Sequence, residues 1–193
     1  MATHRAIAAT SETLRTLLET ACPRDEFPDA RFELFQASDF QRQLDEGISL
    51  FLYRVAVNTT RRNLPPSTRS DGRRLRPPLP VDLFYLCSAW GRSVSRQHAL
   101  LGWCMRTLED ASVLPSGTLN STGPFDDTFR SSEAVEIVCD PLSLSDLNTL
   151  WEVLRPNVPV SVGYVVRALP IESTVPLPEL GPPVQTRDLG FGQ

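Results

Sequence analysis

The sequence contains no lysine; all 19 of its basic residues are arginine. That absence reads as GC-rich codon usage rather than as a functional signal. Histidine is almost as scarce, with only His4 and His98. His4 falls in a terminal helix, and His98 in the first turn of another, where the positive dipole end disfavours a charged imidazole. Neither therefore suits a catalytic base. The four cysteines, Cys22, Cys87, Cys104 and Cys139, are widely separated. That spacing excludes a zinc knuckle or a C-x-x-C redox pair, and they read as reduced core thiols of an intracellular chain. No run approaches the ~18 apolar residues of a membrane span. The N-terminus lacks the apolar core of a signal peptide. There is no P-loop and no G-x-G-x-x-G.

What is present fits a globular protein. A chain of 193 residues suits one domain plus a tail. At this size folding buries roughly 70% of the unfolded surface, so no disulfide or metal staple is required. The net charge of −4 argues against nucleic-acid binding by the molecule as a whole.

The apolar pattern predicts helices over 3–21 and 96–111, and a third starting at Ser143 or Ser145 and ended by Pro156. Thr3 and Ser95 are the expected caps of the first two. Leu100, Leu101, Cys104, Met105 and Leu108 form the expected buried stripe of the second. Leu144, Leu147, Leu150, Trp151 and Leu154 form that of the third. Strands are predicted over 30–37, 47–57, 80–90, 134–140 and 158–169, with Gly163 a bulge or a close approach. Residues 47–57 and 80–90 are apolar on both faces, which predicts central strands. Residues 112–132 read as a loop. The fold class is α+β: a mixed, mostly antiparallel sheet of about five strands with three helices packed on it. Residues 1–170 form the domain, and proline-rich 171–193 an extended arm.

A search for chemistry finds little. G-R-S-V-S, 91–95, lies between a strand and a helix, but Ser95 stands where a nucleophile elbow needs its second glycine. Asp126 and Asp127 are adjacent on a loop, with no partner element to form an acid–base pair. D-L-G-F-G, 188–192, has no kinase domain before it. The sequence predicts no catalytic residue, no cofactor and no metal.

The most unusual stretch is 58–78, N-T-T-R-R-N-L-P-P-S-T-R-S-D-G-R-R-L-R-P-P, with six arginines, four prolines and one acid. Such a loop could track phosphates. It carries no aromatic residue to stack on bases, and no recognition helix accompanies it. Residues 25–46 hold seven acids against two arginines. A basic loop and an acidic segment on one chain suit contact between copies of that chain. Contact with protein, a solvated loop and a small nucleic-acid-binding module remain three open readings, in that order of preference.

The order of segments carries a resemblance. The helix A-I-A-A-T-S-E-T-L-R-T-L-L is followed by G-I-S-L-F-L-Y-R-V-A-V-N, the arginine- and proline-rich connection, and P-P-L-P-V-D-L-F-Y-L-C-S-A-W. Then come A-L-L-G-W-C-M-R-T-L-E-D, L-S-L-S-D-L-N-T-L-W-E-V-L-R-P and V-P-V-S-V-G-Y-V-V-R. Over about residues 3–170 this resembles the cap, or tail-terminator, proteins of phage-tail-like contractile injection systems. The resemblance implies a phage tail-terminator-like fold and a structural, non-enzymatic role. It implies a six-fold homo-oligomeric ring that closes the end of the inner tube and holds the last sheath layer. The implied partners are further copies, sheath and tube proteins, with no membrane. The implied location is the cytoplasm, within a particle released by lysis. The contact elements would be Arg61, Arg62, Arg69, Arg73, Arg74 and Arg76 of the loop, with Arg187, Asp188 and Phe191 of the arm. The lack of lysine departs from the family, and the arm is expected to be particular to this system.

Overall fold

The computed structural model describes residues 2–68, 72–154 and 159–178. Helix α1 spans Ala6–Ala21, three residues later than predicted. Thr3 instead closes a lead-in turn: its carbonyl accepts from Ala6 N and its hydroxyl from Arg5 N. Ala6, Ala9, Leu14 and Leu18 face the core, while Glu12, Arg15 and Glu19 form an ion ladder at 2.8 and 2.6 Å on the outer side. Thr10 and Thr13 are buried without loss because their hydroxyls donate to the carbonyls of Ala6 and Ala9.

The sheet has six strands: β1 (Arg31–Phe35), β2 (Gly47–Val57), β3 (Leu79–Trp90), β4 (Val113–Pro115), β5 (Ala134–Cys139) and β6 (Ser161–Ile171). Their order is β1-β2-β3-β6-β5-β4. β1 and β2 are parallel and the other pairs antiparallel. The sheet is mixed and the domain α+β, as the sequence implied. The sixth strand, β4, and the short helix α3 (Ser116–Leu119) lie in 112–132, which read as a loop. Three residues ending in proline are too short to show a period. Among the described residues the other elements are helices α2 (Val94–Asp110) and α4 (Leu144–Leu154), with 3-10 turns at Ala37–Gln41 and Gly123–Phe125.

Two expectations about caps resolve differently. Ser143 caps α4, its Oγ accepting from Asp146 N. α2 is capped by Ser93, whose side chain accepts from Arg96 N; Ser95 stands inside the first turn. The expected cap was two residues late because Val94 and Ser95 carry no helical periodicity of their own.

β2 lies inside the sheet between β1 and β3, as predicted, but has both neighbours over its first half alone. β1 pairs with β2 only as far as Phe35 opposite Phe51, so Gly47–Leu50 is buried while Leu52–Val57 is half-buried to exposed.

The main core lies between the sheet and α1 and α2. Leu83, Tyr85 and Cys87 of β3, Val166 of β6, and Leu100, Cys104 and Leu108 of α2 are its centre. Met105, predicted to join that stripe, is exposed. Tyr85 OH lies 2.8 Å from Ser11 Oγ, which satisfies a buried phenol. A smaller cluster of Phe35, Phe40, Leu86, Trp90 and Leu154 packs on the opposite face beneath the 3-10 turn and α4. Phe35 and Phe40 meet edge to face at 5.4 Å. α4 covers this face only partly. Leu154 is buried, but Leu144 is 79% and Trp151 41% exposed, so the apolar face the pattern predicted is left partly uncovered. Of the four thiols, Cys22, Cys87 and Cys104 are buried, whereas Cys139 is exposed. By alternation it shares the face of the buried Val135 and Ile137, and it is exposed as the last residue of β5. Among the described residues no helix is long and apolar enough to cross a membrane.

Candidate interaction surface

The arginine-rich connection between β2 and β3 is not a free arm. Asn58 sets its start. Its amide donates to both carboxylate oxygens of Asp82, at 2.9 and 3.1 Å, and its Oδ1 accepts from Arg61 N at 2.9 Å. This side-chain turn pushes Thr59–Asn63 into solvent. The chain then folds back. Leu75 N donates to Ser67 O at 2.8 Å, Arg76 N to Val175 O at 3.0 Å, and Leu177 N to Arg74 O at 2.9 Å. Leu75 is only 2% exposed, so the ribbon is held by a hydrophobic pin as well as by backbone bonds.

Below the pin is a buried charge. Glu172, with its side chain 7% exposed, sits 3.0 Å from Arg130 Nη2. That contact is an ion pair without hydrogen-bond alignment. Glu172 also accepts a 2.7 Å bond from Ser67 Oγ. One carboxylate thus joins the connection, the turn before β5 and the segment that follows β6.

The structure places Arg61, Arg62, Arg73, Arg74 and Arg76 on the surface. Arg69, Arg187, Asp188 and Phe191 lie outside the described residues, as do 179–193 of the arm. Arg74 and Arg76 flank the inward Leu75 and so share the outward side. Arg61 borders an open groove with Arg167, Glu136 and Ala168. Among the described residues, Arg15, Arg42, Arg92, Arg96, Arg106 and Arg130 pair with carboxylates of this chain. Arg73 also has a partner. Arg61, Arg62, Arg74 and Arg76 form no such ion pair. Among the described residues these four guanidinium groups of the connection, like those of Arg5, Arg24, Arg31, Arg54 and Arg167, have no carboxylate partner.

The acidic segment 25–46 behaves otherwise. Asp29 pairs with Arg92, Glu33 with Arg42, and Glu46, 3% exposed, with Arg96. Asp39 takes part in a capping box with Gln36. Arg96 also lies over the Phe27 ring at 5.3 Å. Most of this segment's charge is spent on its own fold.

Asp25, Glu26 and Asp45 of the acidic segment form no ion pair among the described residues, and further carboxylates without a basic partner lie beside the β2 bulge. Register shifts between Leu52 and Arg54, so Tyr53 and Arg54 both sit against Phe84 of β3. The Arg54 guanidinium lies 4.7 Å over the Phe84 ring, and the Tyr53 and Phe84 rings are 6.2 Å apart. Pro141 and Leu142, with Asp146, Thr149 and Leu150 at α4, wall this floor into a half-open groove of about 330 Å³. Asp140 lines its mouth. Asp146 accepts from Ser143 Oγ at 2.7 Å, and neither Asp140 nor Asp146 forms an ion pair among the described residues. Burial pushes the Tyr53 phenol up, Asp140 pushes it further, and Arg54 opposes them. Sequence reasoning missed this groove because its residues come from β2, β3 and the α4 lead-in. The one available signal was Arg54 in an otherwise apolar strand.

Features inspected for catalysis are dispersed. His4, Ser95, His98, Asp126 and Asp127 are all exposed. Among the described residues no group of three or more His, Cys, Asp or Glu side chains could hold a metal ion.

The model of the Pvc16 N-terminal domain family matches residues 9–186. Two solved structures share the fold. One is the sheath/tube terminator of PVC, an extracellular contractile injection system, in its extended state. It aligns at a TM-score of 0.56 and 19% identity, over 95% of this chain and 65% of that one. The other is the tube-terminating cap of the anti-feeding prophage, at a TM-score of 0.54 and 20% identity, over 92% of this chain and 59% of that one. The present chain thus spans less than two thirds of each. No curated protein matches it.

Proposed function

The chain belongs to the Pvc16 N-terminal domain family, and from that premise we propose that it is a structural terminator of a contractile injection particle. It closes the end of the inner tube, anchors the last sheath layer and does so as a homo-oligomeric ring, six-fold in the simplest case. The observation that carries this reading is the fold itself, which covers 95% of the chain on a sheath/tube terminator. The domain, 1–170, supplies a rigid sheet. The connection 58–78 and the arm 171–193 reach neighbouring subunits, tube and sheath, as loops on a rigid scaffold can. The protein performs no catalysis in this role. It assembles in the cytoplasm and leaves with the particle on lysis.

Imaging of particles from a strain lacking the gene tests the proposal. The expected result is tubes of irregular length with open ends and detached terminal sheath. Particles of normal length, closed as before, would overturn it. Arg61, Arg62, Arg74 and Arg76, clustered in one connection and without ion pairs among the described residues, also favour a second reading, phosphate binding. That reading requires a salt-dependent affinity for duplex DNA which falls when Arg61, Arg62, Arg74 and Arg76 are replaced.

A further inference from the structure

We infer that the groove beside the β2 bulge is the socket into which the arginine-rich connection of a second copy docks. The inference rests on the ring proposed above and names its contact. The groove holds two carboxylates, Asp140 and Asp146, and one guanidinium, Arg54, which is already laid over Phe84. It therefore has an excess negative charge beside an aromatic floor. A cation that could use both elements is a guanidinium: it stacks on a ring face and bonds carboxylate oxygens with its planar fork.

The chain supplies such cations. Arg62, Arg74 and Arg76 are exposed and form no ion pair among the described residues. It contains no lysine, so a contact between copies can be cationic only through arginine. Within one copy none of these arginines forms an ion pair with Asp140 or Asp146. The connection starts four residues beyond Arg54, about 13 Å along an extended strand. Donor and acceptor are thus different surfaces of one molecule. Contacts of that kind run head to tail and close into rings or extend into filaments. Leu75 and Glu172 fix the ribbon that carries Arg74 and Arg76, which lowers the entropy lost on docking.

The test uses two charge-reversed forms of the full chain. The donor form carries R62D, R74D and R76D; the acceptor form carries D140R and D146R. Far-UV circular dichroism and thermal melting establish that each folds. Self-association is read by sedimentation velocity and mass photometry. Each form alone is expected to associate on the order of 100-fold more weakly than the starting chain. In an equimolar mixture every donor-to-acceptor contact is again of opposite charge, provided the two forms alternate. The mixture is therefore expected to regain assembly, and only in even-numbered rings. Three outcomes overturn the inference: both forms assembling like the starting chain, both remaining monomeric when mixed, or a starting chain that does not self-associate. A fourth, unchanged self-association with loss of binding to purified particles, assigns the arginines to sheath or tube and also overturns it. None of these decides the terminator role, which the gene-deletion images test separately.

Discussion

Replacing Leu75 by alanine isolates what holds the arginine-rich connection in place. Leu75 is 2% exposed yet belongs to neither the main core nor the smaller aromatic cluster. Leu→Ala in a packed interior costs about 2–5 kcal/mol, with the low end applying where the site can collapse. The ribbon can collapse, because only two backbone bonds tie it to the segment after β6, Arg76 N to Val175 O and Leu177 N to Arg74 O, and one more, Leu75 N to Ser67 O, closes it on itself, each contributing only about 1 kcal/mol net. A loss of about 2 kcal/mol is therefore a large part of the local stability. It corresponds to roughly a 30-fold rise in the open population at about 1.4 kcal/mol per tenfold. Native-state amide exchange by NMR reads this directly. The amides of Leu75, Arg76 and Leu177 should exchange roughly 30-fold faster in L75A, while those of β3 and β6 keep their protection. If core and ribbon amides accelerate together, the connection is part of the global cooperative unit and the reasoning fails. If the ribbon amides do not change, the leucine is not the pin.

Other consequences are less local. Ser93→Ala removes the α2 cap and should cost about 1 kcal/mol, lowering Tm by roughly 2–4 °C for a chain of this size; Ser95→Ala should leave Tm within error. Gly163→Ala places a Cβ 2.5 Å from Asp140 O, so the strand or the groove wall must shift. Urea denaturation should show a loss of about 1–3 kcal/mol, and a wild-type midpoint would refute the close approach. Burial pushes the Cys104 thiol up to about 12, against an ordinary value of 9.0, and pushes Cys87 up as well. The unfolded chain therefore releases these protons first as pH rises. Their stabilising contribution is intact below about pH 9 and falls toward about pH 12, by up to about 1.4 kcal/mol per pH unit for each thiol. Urea midpoints between about pH 8 and about pH 11 should decline, and less steeply in C104A.

The parts legible in the sequence were those where burial is uniform along an element. β3 and α2 reveal themselves because Leu83, Tyr85 and Cys87 on one and Leu100, Cys104 and Leu108 on the other meet one continuous core. The arginine-rich connection was legible by composition alone, and the lack of ion pairs at Arg61, Arg62, Arg74 and Arg76 gives that composition a physical content. What stayed hidden depends on pairing across the sheet. The half-open edge of β2 follows from β1 stopping at Phe35, which nothing in β2 records. The ion pairs of the acidic segment were hidden because Arg92 and Arg96, which pair with Asp29 and Glu46, lie far along the chain. The exposed face of α4 has the spacing of a buried one. Periodicity reports which residues share a face, and not whether anything covers it.

The β2 bulge shows how one residue can decide both core and surface. Strict alternation would set Arg54 on the same face as Leu52, against α1 and α2. The observed register opposes Leu52 to Tyr85 but Arg54 to Phe84, so two residues of β2 meet one of β3. The extra residue sends Arg54 to the outer face and returns Val55 and Val57 to the helical side, opposite Leu83 and Val81. It keeps a charge out of the core and builds the socket floor in the same step. This makes deletion informative. Removing Tyr53 should delete the bulge while leaving every other β2 residue on its present face. The chain should fold, losing about 1.5–3 kcal/mol for one aromatic side chain, and less because Tyr53 is only half-buried. Removing Leu50 instead lets the bulge absorb the gap only by exchanging the faces of Phe51, Leu52 and Tyr53. That turns Tyr53 into the core and Leu52 out of it, and should cost several times more. Thermal melts of the two deletions compare the cases directly. If they are equally damaging, the bulge is not the device that sets which side of β2 carries charge.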